Sequence, residues 1–428
     1  MDIIGFIVVF MIFLAIGMPV AFAMLSTSAI YFLLADVPLI MMLPNRMFGG
    51  LDSFILVAIP FFLMAGELMN RSGISDRLVN FSNLVVGRMR GGLAQVNVLS
   101  SVLFAGITGI ALGDVVALGK IFVPAMEKQG YSRAFAGAVT GASSLLGPII
   151  PPSTIAVLYA ATMGVSVGGI FIAAIIPGLI IAGSDMLIVY LIARKRKFPT
   201  LDTPVTPKAL AIGLRDASLA IIMPLIIVIG ILGGIFTPTE AAAAAVIYSI
   251  VVGMFILRTL KSGDVLATFK VSAIDTARLL VIIAGAAAVG WIFAMENVPE
   301  FVDQLFTPIK GNMLVLVLCV NLFFLFLGTW LDPATSIILF GPIIGPMAFD
   351  AGLHPLQFGI MMIINSNIGY VTPPVGNVLF AISNICRVGI WELGRELLPF
   401  ILINMVVVIL VGLLPELSLW LPRLLGLV

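Results

Sequence analysis

A pair of adjacent prolines interrupts an apolar stretch of this chain, in the segment GYVTPPVGN at residues 369–377. Proline has no backbone N–H to donate, and it disfavours helical geometry in the residue before it, here Thr372. A continuous helix is therefore disfavoured, and several carbonyl groups lose the partners that a helix would give them. If the stretch crosses a membrane, lipid cannot replace those partners, so the break must be covered by protein, a wet cavity or a cation.

The same interruption occurs about 222 residues earlier, in GPIIPPS at residues 147–153. Both segments consist of a glycine, three further residues and then a proline pair. Paired interruptions in the two halves of an apolar chain are the best sequence indication of a transporter's binding site. The two breaks therefore predict where solute or ions bind.

Composition supports a membrane protein, because 61% of the 428 residues are hydrophobic and only 10% are charged, against about 25% charged in soluble domains. The net charge of +1 argues against nucleic acid as a partner. The chain begins MDIIGF, without a basic region or a following cleavage site, so we expect a retained first span. Cys319 and Cys386 lie in or beside apolar runs and are expected to be buried free thiols.

The first half of the chain predicts three spans, an interfacial amphipathic helix, a re-entrant hairpin, a broken helix and a final span. The hairpin is predicted because two apolar segments of about 12 residues flank FAGITG, and each reaches about 18 Å of a roughly 30 Å membrane core. In chain order these elements are 3–16, 18–34, 53–70, 70–90, 93–126, 133–164 and 168–192.

The second half repeats this order after a proline- and threonine-rich linker, FPTLDTPVTPK. Each unit has an odd number of crossings, so the halves are inverted relative to one another. The predicted fold is thus an all-α polytopic membrane protein of two inverted repeats. The second set of elements is 217–235, 240–257, 272–295, 298–306, 312–349, 356–385 and 398–414.

Charge predicts the orientation. If the basic cluster at residues 194–197 is cytoplasmic, 18 of the 22 basic residues lie inside, one lies in the first hairpin, and only Arg46, Lys310 and Arg423 lie outside. This bias follows the positive-inside rule and places both termini on the extracytoplasmic side.

Each hairpin tip with its broken helix could surround a small hard cation such as sodium with hydroxyl and carbonyl oxygens. The alternative is that the breaks are kinks needed only for packing. The predicted ligands are Thr108, Gly147, Ile150 and Pro152 at sodium site 1, and Gly328, Thr329, Asp332, Gly369, Thr372 and Pro374 at sodium site 2.

Polar side chains around the breaks predict a solute site, because hydroxyl and amide groups are tolerated at this depth. The predicted substrate-binding residues are Ser143, Ser144, Ser153, Thr154, Asn365 and Asn377.

Two acids occupy corresponding places, Asp114 and Asp332, each ten residues before a proline. Intramembrane carboxylates are functional by default, although a helix cap is a comparably good interpretation of both. Glu67 and Glu240 lie near span ends, where structural hydrogen bonds are expected. The single histidine, His354, is expected to be a loop residue without a chemical role.

Enzymatic function is not expected. The single histidine cannot supply an HExxH metal site, and neither GxSxG nor a P-loop occurs. The alternatives to a transporter are a channel, or a scaffold subunit without its own transport path. A channel would need a continuous polar pore, and a scaffold would not need duplicated breaks.

The chain closely resembles the large membrane subunit of tripartite ATP-independent periplasmic (TRAP) transporters over nearly its whole length. The resemblance rests on IPFFLMAGELM, ITGIALGDVVALG, GPIIPPS, GGIFTPTEAAA, GTWLDPATSI and IGYVTPPVGNVLF. Where family members usually carry ISGS at the first hairpin, this chain has ITGI at residues 107–110, so the second hydroxyl is lost.

The resemblance implies an elevator-type transporter of the bacterial inner membrane, driven by sodium as coupling ion and without another cofactor. It implies two partners, a small four-helix membrane subunit and a periplasmic substrate-binding protein. The implied substrate is an organic acid, with sialic acid favoured over C4-dicarboxylates. With the repeat pairing, residues 1–91 and 210–311 are expected to form a static scaffold, and 92–209 and 312–428 the moving transport domain.

Overall fold

A computed structural model describes residues 3–35, 40–200 and 205–428, which form helices and their connections without a strand. The first repeat contains α1 Ile3–Ala15, α2 Val20–Ala35, α3 Met42–Leu51, α4 Ala58–Arg71 with a preceding 3-10 turn, α5 Ile74–Val86, α6 Gly92–Thr108, α7 Ala111–Lys128, α8 Arg133–Ser144, α9 Thr154–Met163 and α10 Val167–Arg196.

The second repeat contains α11 Pro207–Leu232, α12 Pro238–Val251 with a π-helical end to Ile256, α13 Ser262–Met295, α14 Val298–Phe306, α15 Met313–Trp330, α16 Pro333–Asp350, α17 Pro355–Tyr370, α18 Asn377–Cys386, α19 Ile390–Leu413 and α20 Glu416–Leu424. Within the described ranges, eight helices are long and apolar enough to cross a membrane.

Local sequence explains where the key helices begin and end. Gly109 adopts a left-handed conformation with φ +62° and ends α6, while Asp332 accepts a hydrogen bond from the backbone N–H of Thr335 and begins α16. Each hairpin therefore turns within two residues, so its arms must lie side by side. Thr237 and Glu240 form a capping box at the start of α12, which gives Glu240 the structural role expected of it.

The two repeats are packed into each other reciprocally. Helix α7 of the first hairpin packs against α18 of the second broken helix, and α16 of the second hairpin packs against α9 of the first broken helix. Similarly, α8 packs against α19 and α17 packs against α10, the last long helix of the opposite repeat in each case. This exchange of equivalent contacts is what two inverted repeats around a pseudo-two-fold axis produce.

The structure corrects several predicted boundaries. The arms of the first hairpin have 17 and 18 residues rather than about 12, because residues 104–108 of the expected tip FAGITG continue helix α6. Helices α11, α13 and α19 begin eight to ten residues before the predicted spans, with polar or amphipathic first turns. The short helices α3 and α20 were not predicted. Part of the predicted linker and the first two residues lie outside the described ranges.

Three further expectations concern single side chains. Both cysteines are free thiols, but only Cys386 is buried, whereas Cys319 is half-buried on α15. Glu67 forms an ion pair at 2.6 Å with Arg71, one turn further along α4, so its interpretation as a structural residue is correct. His354 is not a simple loop residue, because its ring accepts a hydrogen bond from the backbone N–H of Leu356 and begins α17.

Candidate functional site

The first break separates α8 from α9 and contains a cis bond between Pro151 and Pro152. Ser153 closes it from one side: its hydroxyl donates to the carbonyl of Pro148 at 2.5 Å and accepts the backbone N–H of Ala156 at 3.1 Å. The hydroxyl therefore links the irregular segment to the first turn of α9 and fixes their relative position.

The tip of the first hairpin docks directly on this break. The hydroxyl of Thr154 donates to the carbonyl of Gly109 at 3.1 Å. A Cβ atom on Gly109 would lie 3.1 Å from the carbonyl oxygen of Pro152, so the two backbones are in close contact. The hairpin tip and the break thus form one compact group of backbone and hydroxyl oxygens.

Asp114 lies at the centre of this group. Its carboxyl group is fully buried, the hydroxyl of Thr108 donates to Oδ1, and Oδ2 has no hydrogen-bond partner among the described residues. A Cβ atom on Gly147 would lie 2.5 Å from Oδ2, so the carboxylate abuts the start of the break. Ile150 packs its side chain against Gly178 of α10 and can offer only its carbonyl.

A buried carboxylate oxygen without a protein partner, next to a hydroxyl and a glycine backbone, suits a small hard cation. Sodium prefers oxygen donors, and an isolated buried charge is costly unless it is paired or coordinated. The residues predicted for sodium site 1 therefore lie around a group that a cation would stabilise. The sequence alone left the role of Asp114 open, and the contacts place it between Thr108 and Gly147.

The second break separates α17 from α18 and contains a cis bond between Pro373 and Pro374. Two of the carbonyls predicted to be free take part in turns: Gly369 accepts the N–H of Thr372 at 2.9 Å, and Thr372 accepts the N–H of Gly376 at 3.3 Å. A carbonyl has two lone pairs, so each keeps the capacity for a second interaction. Pro374 is exposed.

The second hairpin meets the broken helix through two glycines. A Cβ atom on Gly369 would lie 2.6 Å from the backbone of Gly328, and one on Gly328 would lie 2.5 Å from the carbonyl oxygen of Ser366. No side chain fits at either position unless the helices separate. Two of the six residues predicted for sodium site 2, Gly328 and Gly369, are therefore in direct backbone contact.

The remaining predicted ligands of sodium site 2 are engaged locally. The Thr329 hydroxyl donates to the carbonyl of Phe326 in its own helix at 2.7 Å. Asp332 accepts two hydrogen bonds from Thr335, at 3.0 Å from the backbone N–H and at 2.5 Å from the hydroxyl. Of the two interpretations that the sequence left open, capping is the one seen for Asp332, and ion binding there stays a prediction.

Polar side chains link each hairpin to its broken helix at equivalent positions. Ser101 of α6 donates to Ser143 of α8 at 2.8 Å, and Asn365 of α17 donates to Asn321 of α15. Ser143, Ser144, Ser153 and Asn365 are all buried in this packing. Their predicted role in substrate binding stays a prediction.

One cavity of about 620 Å³ lies between the two hairpin tips on one side and helices α4 and α13 on the other. Four predicted site residues line it: Thr108 and Thr154 from the first repeat, and Asp332 and Asn377 from the second. The cavity volume is in the range of small-molecule sites. Both breaks therefore contribute to the wall of a single space.

The cavity also has lining residues that were not among the predicted site residues, notably Arg278 on α13, Asn367 and Tyr370 on α17, and Asn70 on α4. Their positions depend on packing between elements distant in sequence. The position of Asn367 directly before the second break is a sequence signal, but nothing in the sequence distinguishes Arg278 from the other basic residues predicted to be cytoplasmic.

Duplicated broken helices, each covered by a hairpin tip and both facing one cavity, define a polytopic membrane transport protein. The chain belongs to the DctM component family of the tripartite ATP-independent periplasmic transporters. The model of this family matches residues 7–417.

Two relatives illustrate the family, and one solved structure shares the fold. The chain is 36% identical over 408 residues to the sialic acid TRAP transporter large permease protein SiaM of Vibrio cholerae, covering 95% of both chains. It is also 36% identical to the C4-dicarboxylate TRAP transporter large permease protein DctM of Pseudomonas aeruginosa, covering 89% of both. The fold is similar to that of the Alcanivorax borkumensis YdaH transporter, with a TM-score of 0.58, 18% identity and 89% of both chains covered.

Proposed function

We propose that this TRAP large permease performs sodium-coupled uptake of an organic acid across the bacterial inner membrane. Sialic acid is the favoured substrate and a C4-dicarboxylate the second choice, in line with the two relatives named for these acids. The description of the family as one component of a tripartite system supports two partners, a small four-helix membrane subunit and a periplasmic substrate-binding protein.

The observation that carries the proposal is the shared cavity. Hydroxyl, amide and carboxylate groups from both repeats line one space of about 620 Å³, and the buried Asp114 carboxylate lies beside Thr108 at its edge. An ion bound between a hairpin tip and a broken helix would hold the two in contact, and a solute in the cavity would depend on the same contact. Such a linkage makes ion and solute affinities rise together, by the same factor from either side.

Movement would follow from the same division. If α6–α10 and α15–α20 move as one body against the scaffold helices, the wall formed by the hairpin tips and breaks would carry the solute past α4 and α13. We propose this elevator movement as the transport step.

Uptake in proteoliposomes tests the proposal. The permease, reconstituted with its small membrane subunit, is supplied with binding protein loaded with N-acetylneuraminate or succinate. We expect accumulation with an inward sodium gradient and little with a matched choline or potassium gradient. Equal uptake under all three gradients would contradict sodium coupling, and uptake without binding protein would contradict the tripartite arrangement.

A further inference from the structure

Arg278 occupies an unusual position on the cavity wall. It lies on α13, directly before residues 279–295, which contain no charged side chain. Among the described residues that line the cavity, Arg278 is the only basic one, and Glu67, Asp275 and Asp332 are the acids. A guanidinium at the edge of an apolar wall, facing a solute cavity, is well placed to meet an anion.

The current partner of Arg278 is easily exchanged. Its Nη1 donates to Oδ1 of Asp275 at 2.9 Å, three residues earlier on the same helix, and its side chain is 74% exposed. Exposed pairs of this kind contribute little to stability. The bond uses one of the five N–H donors of the guanidinium, which together match a carboxylate in a two-pronged geometry.

The other acids of the cavity have separate partners. Glu67 is paired with Arg71, and Asp332 accepts both of its hydrogen bonds from Thr335. They therefore compete less for Arg278 than Asp275 does.

Two buried polar atoms in the cavity wall point independently to a ligand. Oδ1 of Asn367 and Oγ of Ser272 have no hydrogen-bond partner among the described residues, and both side chains are at least nine-tenths buried. Asn367 lies on the transport side and Ser272 on α13, one turn before Asp275. Buried polar atoms are normally satisfied. Both atoms are closed off from the cavity in this structure, so a polar solute would satisfy them only after the side chains of Asn367 and Ser272 rotate towards it.

We propose that Arg278 binds the carboxylate of the transported organic acid by exchanging Asp275 for the substrate. Arg278 is then the residue that selects acids in the cavity, and Asp275 is a resting counter-ion that the substrate displaces. The inference rests on the proposed function and on the topology predicted from charge, which puts Arg278 on the cytoplasmic side.

The test measures binding and transport in four variants of the complex with its small subunit: R278Q, R278K, D275N and R215Q. Arg215 is the matched control, a strongly exposed arginine on α11 that does not line the cavity. Binding is followed by ligand-induced thermal shift with N-acetylneuraminate and succinate, and with their amides, which lack the charge. Counterflow from inside the proteoliposomes gives the half-saturation concentration on the cytoplasmic side.

We expect R278Q to weaken binding of the acid by about 10-fold or more, as loss of a hydrogen bond between charged groups does. It should also remove the preference for the acid over its amide, which a merely structural role would leave intact. R278K should have an intermediate affinity for the acid, because lysine keeps the positive charge but not the two-pronged geometry of the guanidinium. D275N should tighten binding by about 2- to 5-fold, since no counter-ion is displaced, and R215Q should match the wild type.

Three outcomes overturn the inference alone. The R278Q variant could keep the wild-type affinity and the preference for the acid, or it could lose no more affinity than R215Q does. The R278Q variant could also change the half-saturation concentration only on the periplasmic side. A wild-type complex that binds neither acid overturns this inference together with the proposed function.

Discussion

At the scale of single residues, Asp114 has the strongest claim to a role in ion binding. It is fully buried, one of its oxygens has no partner among the described residues, and it contacts the hairpin tip and the start of the break together. The hydroxyl of Thr108 is its one hydrogen-bond donor in the described chain. Loss of that donor should lower both the stability of the fold and the affinity for the proposed cation.

We expect Thr108→Val to destabilise the protein by about 1–3 kcal/mol, because it leaves a buried carboxylate without a donor. The rise in melting temperature on replacing choline chloride with sodium chloride should shrink as well. Thr162→Val is the control, since the hydroxyl of Thr162 bonds only within its own helix, to Leu158 at 2.9 Å. A full sodium-induced shift in the Thr108 variant would contradict a cation at this position.

The contact between Gly328 and Gly369 predicts a steric effect. Gly369→Ala would place a methyl group 2.6 Å from the backbone of Gly328, which cannot give way as a flexible side chain can. We expect a loss of about 1–3 kcal/mol or more in stability, measured as a lower melting temperature in detergent. Gly290→Ala on α13 meets nothing within 4 Å and should be neutral or stabilising. Equal stability of the two variants would show that the helices can separate freely.

The sequence predicted some of these residues and not others for a physical reason. A proline pair or a glycine at a fixed spacing constrains the backbone at its own position. Gly147, Gly328 and Gly369 could therefore be identified from the local sequence pattern. The role of Arg278 depends on which helix faces the cavity, which is decided by packing between distant elements. Local sequence carries no signal for that.

At the scale of elements, the breaks are held open by the two proline pairs. Replacing Pro373 and Pro374 together by alanine should favour helix by about 3 kcal/mol per residue and draw nearby carbonyls into helical hydrogen bonds. The sodium concentration for half-maximal uptake should then rise. Pro124→Ala with Pro422→Ala is the matched control, because these prolines lie inside α7 and α20 and in neither break. An unchanged sodium dependence in the folded double variant would refute carbonyl ligation at the second break.

The start of α17 predicts a dependence on pH. Burial, and then the nearby positive charge of Arg423, hold the pKa of His354 below its usual value of 6.5. The folded protein therefore favours the neutral ring, which can accept the N–H of Leu356. The unfolded chain takes up the proton first, so this stabilising contribution is present above pH 6.5 and is lost as the pH falls below it.

We expect the melting temperature of the wild type to fall more steeply between pH 7.5 and pH 5.5 than that of His354→Asn (a range of about one unit on either side of 6.5). Asparagine keeps a capping acceptor but does not titrate in this range. If the melting temperatures of the two proteins fall equally between pH 7.5 and pH 5.5, the pKa of His354 is not lowered in the folded state.

The sequence predicted the type and order of most elements, because long apolar runs and duplicated breaks are strong local signals. It did not predict the lengths of the hairpin arms or the presence of the short helices α3 and α20. The sequence predicts a turn at FAGITG, whereas residues 104–108 continue helix α6 to Thr108. A glycine inside a helix and a glycine in a turn look the same in sequence.

At the scale of the whole molecule, the elevator predicts which cross-links stop transport. Leu279 of α13 and Ala334 of α16 line the same cavity from the proposed scaffold and the proposed moving domain. With Cys319 and Cys386 replaced by serine, a short bifunctional thiol reagent joining L279C to A334C should abolish uptake but leave substrate binding intact.

The matched control joins E127C to R133C, two exposed positions in ion-pair contact at 2.7 Å within the proposed moving domain. That link should leave uptake nearly unchanged. Full uptake by the L279C–A334C protein after complete cross-linking would rule out relative movement of the two domains.

The reciprocal packing of α7 on α18 and of α16 on α9 also has an evolutionary meaning. Each hairpin packs partly on its own broken helix and partly on the other repeat, so neither repeat alone can cover its hairpin completely. A half-length ancestor would have met this requirement only by pairing with a second copy inserted upside down in the same membrane. The two halves of the present chain, expressed as separate polypeptides, should therefore bind each other and restore the shared cavity.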